Sequence, residues 1–327
     1  MALWVFLYHF FMPRDLPVLR DGSVGVDCFF ILSGFILSHV YAGSFQSFNR
    51  EELLQFFRAR FARIYPVHFA VLIVTIAAVI WIPDAIVARN PGSFSWKTLP
   101  AHFLLVNNWG IVRPGWNIPS WSLSTEWLGY LFFPLLMPRV SRWCSGRSGL
   151  FNALMAGVCL LPLAAVGIFH GPEYLTWKDR AGLIRFVTEF TAGIFLYQAY
   201  VAGFKLRREI AYAVLLLSFG LLVLNVDFRI WGIFGSALLV ITCATDEGPV
   251  TWLMETDTAL WLGEISYSLY MAHWLALQVF GSGLPGLAAC SIGTLLLHRY
   301  VEVPGRSLGK QWASGSLRRL NSIEVKA

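Results

Sequence analysis

His9, within VFLYHFF, and Glu126, within WSLSTEWLGYLFFP, are ionisable groups set in apolar runs. Imidazole is the side chain that takes a proton near neutral pH, which makes His9 a candidate general base. A charged group at the centre of a bilayer costs about 2.5–3.5 kcal/mol, so such residues are kept where they face a bundle interior or a wet cavity. Ser122 lies four residues before Glu126, and Gly129 and Phe133 continue the same helical face. A helix cap is the plainer use for an acid here, but a capping box needs Ser or Thr three residues earlier, and position 123 is Leu. Ser120, after Pro119, is the expected cap. Ser122 and Glu126 are then expected either to line a site or to make a structural hydrogen bond.

Three further groups have suggestive spacing. FRARFARIYP carries Arg58, Arg60 and Arg63. They would serve as a charge anchor at a membrane edge, and a guanidinium fork also suits phosphate; the cluster alone does not decide between the two. Arg185 and Glu189 in RFVTEFTAG are four apart and are expected to pair on one helix face. Ser266, Tyr270 and His273 in ISYSLYMAH share a face at helical spacing. GRSLG (305–309) matches a hydrolase G-x-S-x-G pattern, yet no strand precedes it and no histidine follows Ser307, so it is set aside.

The elements that must position these residues read as membrane helices. The chain has 327 residues, 57% of them hydrophobic and only 13% charged, with a mean hydropathy of +0.60; a soluble domain carries about 25% charged residues. Apolar runs long enough to span occur at 24–43, 64–82, 120–138, 151–170, 183–201, 210–225, 229–245, 259–280 and 284–301. Residues 1–12 are shorter: twelve helical residues cover about 18 Å against a hydrocarbon core of about 30 Å. They are read as a first span whose upstream part is missing, with a surface anchor as the other option. If each span crosses, the segments on the side of 44–63 hold fifteen Lys and Arg and those on the other side hold eight. The positive-inside rule then puts both termini in the cytoplasm and accounts for the net charge of +6 without nucleic acid. The five cysteines form no CxxC pair, and neither a disulfide framework nor a metal site is expected. No signal peptide is visible. The fold class expected is all-α, a polytopic bundle of about ten helices with the first truncated. Residues 1–305 form the transmembrane domain and 306–327 a short basic cytoplasmic tail.

Taken in order, these stretches resemble a known family. GVDCFFILSGFIL (25–37, containing Asp27), RFARIYP (60–66), WSLSTEWLGYLFFP (121–134), RFVTEFTAGIFL (185–196), LGEISYSLYMAH (262–273) and YVEVPGR (300–306) resemble signatures of the bacterial membrane acyltransferase-3 family. The resemblance implies an integral inner-membrane O-acyltransferase. It would move an acyl group, by default acetyl from acetyl-CoA, to a hydroxyl of a glycan such as an exopolysaccharide or lipopolysaccharide unit. It implies that His9 is catalytic, with Ser122 and Glu126, and that Arg60 and Arg63 serve the acyl-CoA. Asp27, Arg185, Tyr270 and His273 would be supporting polar residues. No bound cofactor is expected; acyl-CoA is a co-substrate, and the partners are that donor, a hydroxylated acceptor and the bilayer. Glu126 could orient His9 or bind acceptor hydroxyls, and transfer could be direct or pass through an acyl-histidine. One departure from the pattern is that the family's arginine about ten residues before the histidine is not in this chain. A transporter of glycans or of proton-coupled solutes is the alternative from a different class, since buried Glu, His and Arg also build relays.

Overall fold

The computed structural model describes every residue except 12–18, 20–21, 48, 88–91, 113–114, 172–179, 224–228, 247 and 313–327. Ten long helices follow one another: α1 (Ala2–Phe11), α2 (Val24–Val40), α3 (Arg50–Trp81), α4 (Ser120–Cys144), α5 (Gly149–His170), α6 (Arg180–Val201), α7 (Arg208–Val223), α8 (Arg229–Thr245), α9 (Asp257–Phe280) and α10 (Leu284–Leu297). No strand occurs among the described residues, so the fold is all-α.

Two boundaries differ from the sequence reading. Arg58, Arg60 and Arg63 were expected in a loop entering the third helix, but α3 already begins at Arg50. The Asn49 side chain caps it by accepting the backbone N–H groups of Glu51 and Glu52, at 3.0 and 3.3 Å. Its 32 residues cover about 48 Å, so the arginine-bearing end projects past a core of about 30 Å. At the other terminus α10 is followed by a π-helical turn, His298–Glu302, and helix resumes over 303–312. The turn lies just before Pro304, which lacks the N–H that an α-helical ladder needs. The expected tail boundary at 305 therefore falls inside a helix, and the rest of that tail, 313–327, lies outside the described residues.

At the centre α2 packs on α6. A Cβ on Gly34 would stand 2.0 Å from the carbonyl oxygen of Phe190, and one on Gly193 would stand 2.0 Å from that of Ile31. The two backbones touch, in the small-residue packing typical of membrane helices. Phe30, Phe133, Phe186 and Phe190 fill the space between α2, α4 and α6. Gly193→Ala is expected to cost about 1–3 kcal/mol by forcing the helices apart, read as a lower melting temperature in detergent. Gly157→Ala on α5, where an added Cβ meets nothing, is the control and should be neutral or slightly stabilising. Equal melting temperatures for the two variants would mean that α2 and α6 do not touch.

Among the described residues, two helices, α3 and α5, are long and apolar enough to cross a membrane on length and composition alone, fewer than the nine runs read from the sequence. Polar residues that face inward lower the mean hydropathy of α4, α6 and α9. A soluble core helix is mostly buried, whereas only 17% of the most apolar stretch of α5 is. Leu150, Leu154, Val158 and Leu161 form an exposed stripe on it, as a lipid-facing helix requires.

Candidate active site

Two adjoining cavities gather most of the polar residues singled out in the sequence. The first, about 80 Å³, is lined by Val5, Tyr8 and His9 of α1, Ser23 and Val26, Ile118, Pro119 and Trp121, Arg185 of α6, and Tyr270, His273 and Trp274 of α9. The second, about 410 Å³, takes Ser33 from α2, Arg60 and Arg63 from α3, Ser122, Glu126 and Tyr130 from α4, and Ser266, Tyr267 and Tyr270 from α9. Val26 and Tyr270 belong to both. Between them Tyr270 and Ser122 share a hydrogen bond of 2.8 Å, and the Tyr270 hydroxyl lies 3.2 Å from the Pro119 carbonyl.

His9 sits in the last turn of α1. Its Nδ1 is 2.9 Å from the carbonyl of Val5. A carbonyl can only accept, so Nδ1 carries the proton and the lone pair of the neutral ring is on Nε2. His273 is arranged the same way, with Nδ1 2.6 Å from the carbonyl of Tyr270. The two rings lie 4.9 Å apart, centroid to centroid. Two imidazoles in the same tautomer thus sit side by side in the smaller cavity.

The start of α4 differs from expectation. Pro119 occupies the cap position and Ser120 is the first helical residue, with no side-chain cap bond. The serines instead stitch the preceding loop to the helix. Ser120 accepts from Asn107 at 3.3 Å, Ser124 Oγ from the backbone of Asn108 at 3.1 Å, and the Ser124 carbonyl from Trp109 at 2.9 Å. His102 holds the same loop from its other side. Its Nδ1 donates to Thr98 and its Nε2 accepts the N–H of Gly115 at 3.2 Å. Burial pushes its pKa down, which keeps the ring in the neutral form that this pair of bonds requires. Asn117 then ties the loop to α9 through the carbonyl of Met271.

Of the two roles open to Glu126, orienting His9 or binding acceptor hydroxyls, the first is not met here, because the two residues line different cavities. Glu126 Oε1 accepts from Ser33 at 3.1 Å and from Tyr130 at 2.6 Å. The helical face read from the sequence also divides: Ser122 and Glu126 face the larger cavity, while Gly129 abuts the ring of Phe186. Arg185 was expected to pair with Glu189. Its Nε and Nη2 both bond Asp27 Oδ1 of α2 instead, the first at 2.9 Å, with side-chain exposures of 2% and 0%. On a helix the i,i+4 partner competes with any neighbour across the packing interface, and here the interface wins.

Arg60 and Arg63 differ in how their charge is met. Arg63 pairs with Glu302 at 2.8 Å, under the ring of Tyr267. Glu302 is fully buried and also receives Arg306, Ser268 at 2.6 Å and His298 at 3.3 Å. Arg60 lies near the rings of Tyr41 and Tyr130 and forms no ion pair among the described residues. Arg58 is exposed. Ser33, Tyr130, Tyr267 and Glu302 had been assigned no role from sequence. Glu302 carried a signal that could have found its helical partner, an acid four residues before Arg306.

A family profile described as "Acyltransferase domain" matches residues 1–298. Among curated proteins, the chain is 26% identical to the acyltransferase MdmB of Streptomyces mycarofaciens, over 87% of this chain and 78% of that one. It is 24% identical to the peptidoglycan O-acetyltransferase OatA of Listeria monocytogenes, over 89% and 52%, and 22% identical to the O-acetyltransferase OatA of Staphylococcus aureus, over 84% and 48%. The chain thus matches about half the length of these two O-acetyltransferases. No solved structure matches it.

Proposed function

The chain belongs to the acyltransferase-3 family, and from that premise we propose that it is a multi-pass inner-membrane enzyme that moves a short acyl group, most simply acetyl from acetyl-CoA, to a hydroxyl of a cell-surface glycan. The observation that carries this reading is the pair of cavities. One is lined by arginines and the other by a histidine base, and a single tyrosine–serine contact lies between them.

Coenzyme A is a polyanion and stays in the cytoplasm. The arginine-bearing end of α3 is the side that the Lys and Arg distribution assigns to the cytoplasm. Arg60, which forms no ion pair among the described residues, would take the phosphates, and Arg63 would assist with the edge that Glu302 leaves open. The thioester would then reach past Tyr270 and Ser122. Glu126, fixed by Ser33 and Tyr130, would bind donor or acceptor hydroxyls from the larger cavity. His9 Nε2 would take the acceptor's proton as its oxygen attacks the thioester carbonyl. The names of the two O-acetyltransferases support a glycan acceptor, since one acts on peptidoglycan.

The test pairs two measurements. Purified protein in lipid nanodiscs is expected to release free thiol from acetyl-CoA when glycan is added. Mass spectra of surface polysaccharide from cells with and without the gene should differ by one acetyl group per modified sugar. In the same assay the double variant Arg60→Lys/Arg63→Lys keeps the charge but loses the planar fork. Its KM for acetyl-CoA is expected to rise by about tenfold, the loss of one charge-assisted hydrogen bond, with membrane levels unchanged. Solute movement without thioester consumption would overturn the reading in favour of transport.

A further inference from the structure

We propose that Arg185 is a catalytic residue, the donor that holds the negative charge forming on the acyl carbonyl oxygen, with Asp27 as its positioning partner. The assignment rests on the acyl-transfer reading above and gives that reaction an electrostatic component that His9 cannot supply.

The guanidinium of Arg185 is 2% exposed, yet it lines the same small cavity as His9. Two of its nitrogens, Nε and Nη2, are committed to Asp27 Oδ1. The third, Nη1, makes no hydrogen bond among the described residues. The indole ring of Trp121 supports the guanidinium, 5.4 Å from its centroid. One edge of the fork is thus locked, the guanidinium plane is backed by an aromatic face, and the residue lines a cavity of about 80 Å³. A cavity of that size admits an acetyl group, and Arg185 and His9 both line it, so a carbonyl bound there has the base and the guanidinium within one site.

The pairing with Asp27 suits this role. An uncompensated arginine at that depth would be costly to bury and would capture any small anion. With its charge met by Asp27 and by the nearby buried Glu189, it binds a resting carbonyl weakly. It gains strongly when full charge develops on the oxygen, which is the preference that accelerates a reaction. In the step itself the acceptor O–H proton passes to His9 Nε2 and the acceptor oxygen bonds to the carbonyl carbon. The carbonyl π pair moves onto oxygen, facing Arg185 Nη1–H. When the C=O bond re-forms, the C–S bond breaks, and the His9 proton leaves with the thiolate as free thiol. Atoms and charge balance with no further reactant.

The plain alternative is that Arg185 only ties α2 to α6. Arg185→Lys separates the two roles, because lysine keeps the ion pair but has no second edge to present. The probe is thiol release from acetyl-CoA with water as acceptor, measured on nanodisc-embedded protein against a His9→Ala blank. The variant is expected to lose about 10²–10³-fold in kcat, while KM for acetyl-CoA stays within about threefold and the melting temperature holds. A kcat within about threefold of wild type overturns the assignment and leaves the acyl-transfer reading standing. If the lysine variant does not fold, the uncharged pair Asp27→Asn/Arg185→Gln is judged by the same kcat criterion. A wild type no faster than the blank, with water alone and with glycan added, removes the reading and this assignment together.

Discussion

His9→Gln will lower kcat for acyl transfer by about 10²–10⁴-fold, the contribution of a positioned general base. Glutamine reaches about as far as imidazole and can still bond the Val5 carbonyl that anchors Nδ1, so the fold and the KM for the donor should hold. What it lacks is a lone pair basic enough to take a proton at neutral pH. His273 sharpens the test, because its ring is 4.9 Å away in the same cavity and carries the same tautomer. His273→Gln is expected to lose less activity than His9→Gln. Turnover of acetyl-CoA at matched membrane levels decides the matter. If His9→Gln stays within about tenfold of wild type, or if His273→Gln proves the more damaging, His9 is not the base.

Glu302→Ala will be the most destabilising single change around the arginine cavity, which its partner Arg63 lines. Its buried carboxylate gathers Arg63, Arg306, Ser268 and His298. Removing one partner of a buried ion pair costs about 3–5 kcal/mol, because the other charge is left uncompensated. The low end of that range is expected, since Arg63 and Arg306 keep 35% and 29% of their side-chain surface open to water. Glu302→Gln retains the shape and an acceptor oxygen and should lose less. The loss appears as a lower melting temperature in detergent, together with a higher KM for acetyl-CoA as Arg63 is released into the cavity. Should Glu302→Ala melt with the wild type, the carboxylate does not organise this end of the bundle.

The helices themselves were legible in the sequence because long apolar runs set their own length, and each of the nine complete runs corresponds to one long helix. Their ends were less legible. Asn49 started α3 fourteen residues before the apolar run begins, and Pro304 drew in a π turn that hydropathy does not register. Fewer helices than runs are long and apolar enough to span on length and composition, because α2, α7, α8 and α10 have only 17, 16, 17 and 14 residues, and α4, α6 and α9 spend apolar positions on polar groups that face inward.

The sequence by itself determined which residues are chemically out of place: His9, Glu126, Arg185 and His273 each break an apolar pattern, Arg60 and Arg63 cluster at the edge of one, and helical spacing put Ser122 beside Glu126 and Tyr270 beside His273. Only the tertiary structure decided the long-range partners. Arg185 found Asp27 on α2, Glu126 found Ser33 on α2 in addition to Tyr130 one turn along its own helix, and Glu302 emerged as the counterion of Arg63 from 239 residues away. The physical reason is that period and composition specify one helix at a time, whereas a buried charge is satisfied by whichever donor the packing of several helices brings within about 3 Å. That distance is set by the contact of α2 with α6 and of α3 with the π turn after α10, and no local pattern in the chain encodes it.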